Sequence, residues 1–151
     1  MSKPTLVFTN FWQVNYFLQK EVITIPFTVY SIALKKPSGD KLPYVDENIP
    51  RLDFFCPTWE ILQKYKQDND WQSYTDAFMS LMRTRKPAVT GWLENLALSH
   101  DYYLCCWENT AEGAHCHRKL LYDALQKSRK YSEELNLIYL HGNEKTYEKV
   151  T

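Results

Sequence analysis

The sequence predicts an α/β fold, one small domain over residues 1–151 with a mostly parallel sheet flanked by helices in a Rossmann-like three-layer arrangement. Three observations lead there. Strand-like and helix-like patterns alternate along the chain. Tyr102–Trp107 is short and continuously apolar, as expected of a central strand in a parallel sheet. An amphipathic stretch, Lys119–Lys130, follows it after one loop.

Taken in order, Thr5–Thr9 is a short β-prone run, and Asn10 is placed to cap a helix from Phe11 to about Lys20. Val22–Leu34 is rich in β-branched and aromatic residues and reads as a second strand. Pro26 puts the first part of that run outside the ladder, because proline has no N–H to donate. Lys35–Pro50 holds three prolines, a glycine and mixed charges and reads as a long loop.

Three helices follow. Thr58 reads as an N-cap after Pro57, with Glu60 in the first turn and Trp59, Leu62 and Tyr65 on one face. Asp68-Asn69-Asp70 interrupts the pattern, and Trp71, Tyr74, Phe78, Leu81 and Met82 trace the next stripe. Pro87 opens a third helix that turns Val89, Trp92, Leu93 and Leu96 inward, although Gly91 costs it about 1 kcal/mol relative to alanine. After the strand at Tyr102–Trp107, the helix beyond Arg118 is expected to bury Leu120, Leu121, Ala124 and Leu125 and to end in the cationic run Lys127-Ser128-Arg129-Lys130. Leu135–Leu140 closes as a final strand, and 142–151 reads as a charged, frayed tail. The sequence contains no internal repeat and no low-complexity segment.

Composition narrows the function. Eighteen basic and eighteen acidic residues cancel, which disfavours a protein that grips duplex nucleic acid through its phosphates. Nucleic acid stays open as a partner, but the charge does not support it. No apolar run approaches the about 18 residues of a membrane span, and no secretory leader pattern follows Met1-Ser2-Lys3-Pro4. The expected location is the cytoplasm, where the four cysteines stay reduced. Aromatic residues reach 15%, so several flat rings are expected at a surface where they can bind something.

The residues that carry chemistry gather at one junction. His115-Cys116-His117-Arg118 lies between the Tyr102–Trp107 strand and the next helix, where open α/β sheets place their sites. A helix N-terminus presents unpaired N–H groups and partial positive charge, which favours a bound anion and a cysteine thiolate. Cys116 is thus the candidate nucleophile, His117 a proton carrier, and Glu108 a base or an orienting carboxylate. Arg118 is expected to clamp an anion with its two-pronged guanidinium. Each also has a plain structural reading, with Cys116 as a small buried residue, Arg118 in an ion pair and His117 as a cap.

Leu104-Cys105-Cys106-Trp107-Glu108, a short loop, and Cys116-His117-Arg118-Lys119-Leu120-Leu121 resemble the signature of the DUF488 family. Pro57-Thr58-Trp59-Glu60-Ile61-Leu62, followed by Tyr65-Lys66, is similar to the middle of one branch of it. The resemblance spans about Leu52 to Leu125, with a looser match at Thr5–Leu34. It implies a compact α/β domain and a set of site residues rather than a particular reaction, and it points to Glu108, Cys116, His117, Arg118 and, less directly, Cys106. The family often carries an arginine soon after the second strand. Here Ser31-Ile32-Ala33-Leu34 runs into Lys35-Lys36-Pro37, and a lysine replaces the charge but not the bidentate geometry.

Three function classes follow. The first is an enzyme that modifies an anionic, nucleotide-like or nucleic-acid ligand, with Cys116, His117 and Glu108 catalytic and with Arg118, Asn10, Ser31 and Lys35 binding the ligand. The second is a non-catalytic binding module that uses the same pocket. The third is a metal or redox site at His115-Cys116-His117. Cys105 and Cys106, adjacent on a strand, face opposite ways and cannot both join such a site. No Cys-x-x-Cys occurs, and neither a metal nor a cofactor is expected. A Cys-x5-Arg phosphatase loop, a Gly-x-Gly-x-x-Gly turn and a Walker loop are all absent. The sequence leaves the oligomeric state open.

Overall fold

The computed structural model describes residues 3–37, 42–108, 110–111 and 113–143. Four strands, β1 (Thr5–Asn10), β2 (Phe27–Ser31), β3 (Asp101–Cys106) and β4 (Asn136–Tyr139), form one sheet in the order β2-β3-β1-β4. Every pairing is parallel, with Thr5 beside Asp101 and Asn136, and Phe27 beside Asp101. Parallel neighbours need long crossovers. These are α1 (Phe11–Lys20), then α2 (Trp59–Asp68), α3 (Trp71–Thr84) and α4 (Lys86–Leu93), then α5 (His117–Lys127) and α6 (Arg129–Glu134). The chain steps one way across the sheet from β1 to β2 and the other way from β2 through β3 to β4. Right-handed crossovers therefore send α1 to one face and the later helices to the other. All twelve positions of β1 and β3 are buried, as strands covered on both faces must be, while the edge strands β2 and β4 are half-buried.

Local signals set most boundaries. The Asn10 carboxamide oxygen accepts from the Gln13 N–H at 2.8 Å and starts α1 at Phe11. Thr58 does the same for α2 through Ile61 N, and Asp70 for α3 through Ser73 N. β2 begins only at Phe27, and the Pro26 carbonyl accepts from Asp101 N at 3.0 Å. It stops at Ser31, where the chain returning at Pro50–Leu52 takes over the pairing. Ser31 N donates to Pro50 O and Leu52 N donates to Ser31 O, both at 2.9 Å. A single 3-10 turn, Asp53–Phe55, then leads into Pro57, and Arg85 at the junction of α3 and α4 fastens it by donating to Asp53 O at 3.0 Å.

Three details of the sequence reading change. The amphipathic stretch after β3 is two helices, because Ser128 breaks it and caps α6 by accepting from Tyr131 N at 3.3 Å. Arg129 and Lys130 therefore open a helix instead of closing one, and Lys130 finds its counter-charge on Glu94 at 3.2 Å. Ala124, expected in the core, is exposed. Of the stretch read as a frayed tail, 144–151 lies outside the described residues. No helix among the described residues is long and apolar enough to cross a membrane.

Candidate functional site

The carboxyl ends of β2 and β3 open into a cleft of about 400 Å³. Its floor is Cys106, the last residue of β3, with Glu108 just beyond it and Cys116 and His117 at the start of α5. One wall comes from the chain after β2, Ala33 to Lys35, and the facing wall from Trp59, Leu62, Tyr65 and Lys66 of α2 and Trp71 and Tyr74 of α3. Trp107 braces the corner. Its indole N–H donates to Lys35 O at 2.9 Å, and its ring packs on Phe11 with centroids 4.9 Å apart, so the end of β3 holds the loop after β2 in place.

The aromatic wall is continuous. Trp71 stacks on Tyr74 with centroids at 4.8 Å and planes 13° apart, and on His115 at 4.5 Å and 10°. Tyr65 meets both Trp71 and Tyr74 edge-on. Trp59, at the mouth, is 54% exposed. The α2 and α3 stripes read from the sequence are in part the lining of a cleft. No residue of α2 is fully buried.

Beneath that wall lies a compact polar cluster. Cys116 Sγ is 2.9 Å from Cys106 Sγ and 3.8 Å from His117 Nδ1. His117 Nε2 donates to the Ile32 carbonyl at 2.7 Å, which leaves Nδ1 facing the sulfur. Burial alone would hold Cys116 protonated, but a hydrogen bond from Cys106 and the positive charges of His117 and Arg118 outweigh it and keep the thiol well below its ordinary range. Burial pushes Cys106 the other way, reinforced by its donation to Cys116. Burial also pulls the His117 imidazole down, yet the neighbouring Cys116 thiolate and the Ile32 carbonyl raise it overall. The cluster therefore favours a thiolate–imidazolium pair. Glu108 reaches solvent through the cleft, but the surrounding protein and then the negative Cys116 raise its carboxyl to about 7. Tyr74 is pushed far above the usual phenol range, first by its burial and then by Cys116.

Of the residues singled out in the sequence, Glu108, Cys116, His117 and Lys35 come together at the cleft. Arg118 does not. It is completely buried on the other side of the cluster, where its guanidinium donates to His141 O at 2.8 Å and Leu140 O at 3.4 Å and lies over the Tyr139 ring. An anion clamp would need that fork turned toward the cleft, so Arg118 acts on the site only as a buried positive charge, with one nitrogen 3.9 Å from Cys106 Sγ. Asn10 and Ser31 are also absent from the cleft lining. Asn10 spends both ends of its carboxamide on structure, capping α1 and donating to Glu108 O at 3.3 Å. The Ser31 hydroxyl is tied to the backbone of Ala33, at 3.2 Å to N and 3.3 Å to O.

The metal set read as His115-Cys116-His117 is also corrected. His115 is held against Trp71, and among the described residues the three donors that lie within 4.8 Å of one another are those of Cys106, Cys116 and His117. Two sulfurs and an imidazole nitrogen suit a soft divalent cation such as zinc, and a ring N–H given to a backbone carbonyl is the usual way a ligating histidine is oriented. The opposite facing of Cys105 and Cys106 holds, since Cys105 is buried and does not line the cleft. Sequence reasoning missed Cys106 as a full member of the site, and with it Lys66 and the aromatic wall. The signal for Cys106 was its place at the carboxyl end of the central strand.

The sequence model of the DUF488-N3a family, described as the active DUF488-N3 subclade, matches residues 32–129. That stretch includes every residue of the cleft floor and of the aromatic wall. No curated protein and no solved structure gives a significant match.

Proposed function

The chain belongs to the DUF488 family, and from that premise we propose that the cleft takes a flat, anionic, nucleotide-like ligand which Cys116 modifies as a nucleophile. The observation that carries this reading is the placement of a thiolate-favouring cysteine at the floor of a cleft walled by stacked rings. A base-like ring stacks on Trp59, the exposed ring at the mouth, where aromatic stacking stabilises any base. Lys35 and Lys66 at the cleft supply the charge for a phosphate or carboxylate, taking the part first given to Arg118. The matching family model is described as active, which accords with Glu108, Cys116 and His117 all being in place.

The chemistry available is a two-step displacement at an electrophilic carbon. The Cys116 sulfur forms a bond to that carbon while the bond to the leaving group breaks, and the Glu108 carboxyl, protonated near neutrality, gives its proton to the departing atom. Water then attacks the same carbon, Glu108 takes the proton back, and the thiolate leaves unchanged. His117 stays positive beside the sulfur and favours it as both nucleophile and leaving group.

A second reading, a binding module without turnover, draws on the same aromatic wall and on the slight exposure of Cys116, which is 3%. One experiment separates them. Thermal-shift measurements with nucleoside mono- and diphosphates and short single-stranded oligonucleotides should raise Tm for those that bind the folded chain. For each such ligand, Cys116→Ala should keep the shift and abolish its conversion. If conversion persists in both Cys116→Ala and His117→Ala, catalysis through this cluster is wrong. If no probe shifts Tm, the ligand class is wrong.

A further inference from the structure

Cys106 makes and breaks no bond in the displacement above, yet its sulfur lies against the proposed nucleophile. The 2.9 Å between Cys106 Sγ and Cys116 Sγ is less than an ångström longer than the roughly 2.05 Å of an S–S bond. Cys106 ends β3 and Cys116 is the residue on which α5 starts, so both sulfurs are positioned by regular structure. Both also line the cleft, which gives a small polar oxidant a path to them. The remaining thiols are placed differently. Cys105 does not line the cleft, and Cys56 sits beneath the 3-10 turn with its sulfur directed at Leu52 O at 3.5 Å.

We propose that Cys106 and Cys116 are a reversible redox pair, which a hydroperoxide closes into an intramolecular disulfide and a thiol reductant reopens. In the first step the Cys116 thiolate attacks one peroxide oxygen. An S–O bond forms and the O–O bond breaks. The sulfur is oxidised to a sulfenic acid, and the other oxygen leaves as hydroxide, or as water if Glu108 supplies a proton. In the second step Cys106 attacks the sulfenic sulfur, the S–S bond forms, and the oxygen leaves as water with the proton that Cys106 gives up. Two thiols and one hydrogen peroxide thus become one disulfide and two waters. Arg118, 3.9 Å from Cys106, favours the Cys106 thiolate both as it attacks and as it leaves on reduction. The regulatory consequence, a nucleophile withdrawn under oxidation, rests on the function proposed above. The thiol chemistry does not.

The test uses the full chain, hydrogen peroxide at one equivalent, and no substrate. After quenching, denaturation and alkylation, peptide mass spectrometry should find Cys106 bridged to Cys116 and Cys56 and Cys105 alkylated, a loss of two of the four thiols. Dithiothreitol should restore all four. Cys106→Ala removes the partner, and in that variant the same peroxide should carry Cys116 on to the sulfinic acid, which dithiothreitol cannot reverse. The proposal is overturned if Cys116 of the unaltered chain reaches the sulfinic acid while Cys106 stays a free thiol, or if the bridge joins another pair. It is equally overturned if the purified chain holds one equivalent of zinc that protects both thiols until a chelator removes it. Because the readout is thiol state, failure of the ligand reading would leave this result standing, and the reverse is also true.

Discussion

His117 donates its Nε2 proton to the carbonyl oxygen of Ile32, 2.7 Å away, and this one bond decides what the other side of the ring can do. With Nε2 committed, Nδ1 is the only ring nitrogen left for Cys116, whose sulfur lies 3.8 Å off. The carbonyl comes from the residue just after β2 and the sulfur from the N-cap of α5, so the pairing depends on the sheet holding those two chain segments in register. A charge-sharing pair is thus set by the fold, since neither residue's sequence neighbours supply the Ile32 oxygen.

That pairing predicts the pH profile of cysteine modification. Cys116 is held well below the ordinary thiol range, whereas burial pushes Cys56 up to about 12. Iodoacetamide at pH 7 should therefore label Cys116 first, with a rate that falls only when the pH drops through its lowered pKa. His117→Gln removes the positive charge, and each unit by which the Cys116 pKa then rises above 7 cuts the thiolate fraction at pH 7 about tenfold. Labelling followed by peptide mass spectrometry at several pH values checks this. Equal labelling of the unaltered and His117→Gln chains across pH 6–9 would contradict it.

Glu108 predicts an effect of the opposite sign on stability. Its carboxyl is raised from 4.5 to about 7, so the folded state binds the proton more tightly than the unfolded chain does. The stability contributed by the protonated group is fully present below about pH 4.5 and is lost as pH rises through about 7, where the folded-state carboxyl is half ionised. Glu108→Gln removes that liability. The variant should melt above the unaltered chain at pH 8 and close to it at pH 4.5, while losing the acid that serves the leaving group. A destabilised Glu108→Gln at pH 8 would mean the carboxylate is better accommodated than its surroundings indicate.

The contrast between Cys116 and Arg118 shows how far the sequence could be read. Strand and helix periodicity found the elements, and Asn10 and Thr58 as caps placed the starts of α1 and α2, because those signals act over a few neighbours. Placing the site at the carboxyl end of a central strand followed from topology. Side-chain direction did not follow. His117 and Arg118 are consecutive in the first turn of α5 and point roughly 100° apart, so only one of them can face the cleft. The sequence cannot reveal which, because the answer lies with Leu140 and His141, whose carbonyls capture the guanidinium. Trp59, Tyr65 and Trp71 likewise carry an apolar pattern that is the same whether the stripe meets a core or lines a cleft.

Arg118 should accordingly behave as a structural residue. It has no exposed surface, and its loss takes a donor from the Leu140 and His141 carbonyls, of which His141 O still accepts from Thr110 N at 3.0 Å. Arg118→Ala should cost about 1.5–3 kcal/mol of stability, as expected when a buried charged donor to backbone carbonyls is removed. Arg118→Lys should recover little of this, since an ammonium group cannot reproduce the fork. Urea denaturation measures it. An Arg118→Ala chain of unchanged stability that binds its ligand less tightly would return this residue to the role of anion clamp.

Gly142 makes the last prediction, at the point where the chain leaving β4 crosses the end of β1. Its φ of 112° lies where residues with a Cβ are strained, and a Cβ there would run into the Asn10 carboxamide. That carboxamide cannot yield cheaply, because it is 1% exposed and holds both the Gln13 N–H and the Glu108 carbonyl. Gly142→Ala should therefore cost about 1–3 kcal/mol in backbone strain alone, and Asn10→Ala about 1 kcal/mol for the lost cap. The two should not add. Once Asn10 is truncated the collision disappears, so the double variant should be more stable than the sum of the single losses implies, as expected of neighbouring residues. A double-mutant cycle by chemical denaturation reads that coupling directly, and strict additivity would show that Gly142 and Asn10 do not meet.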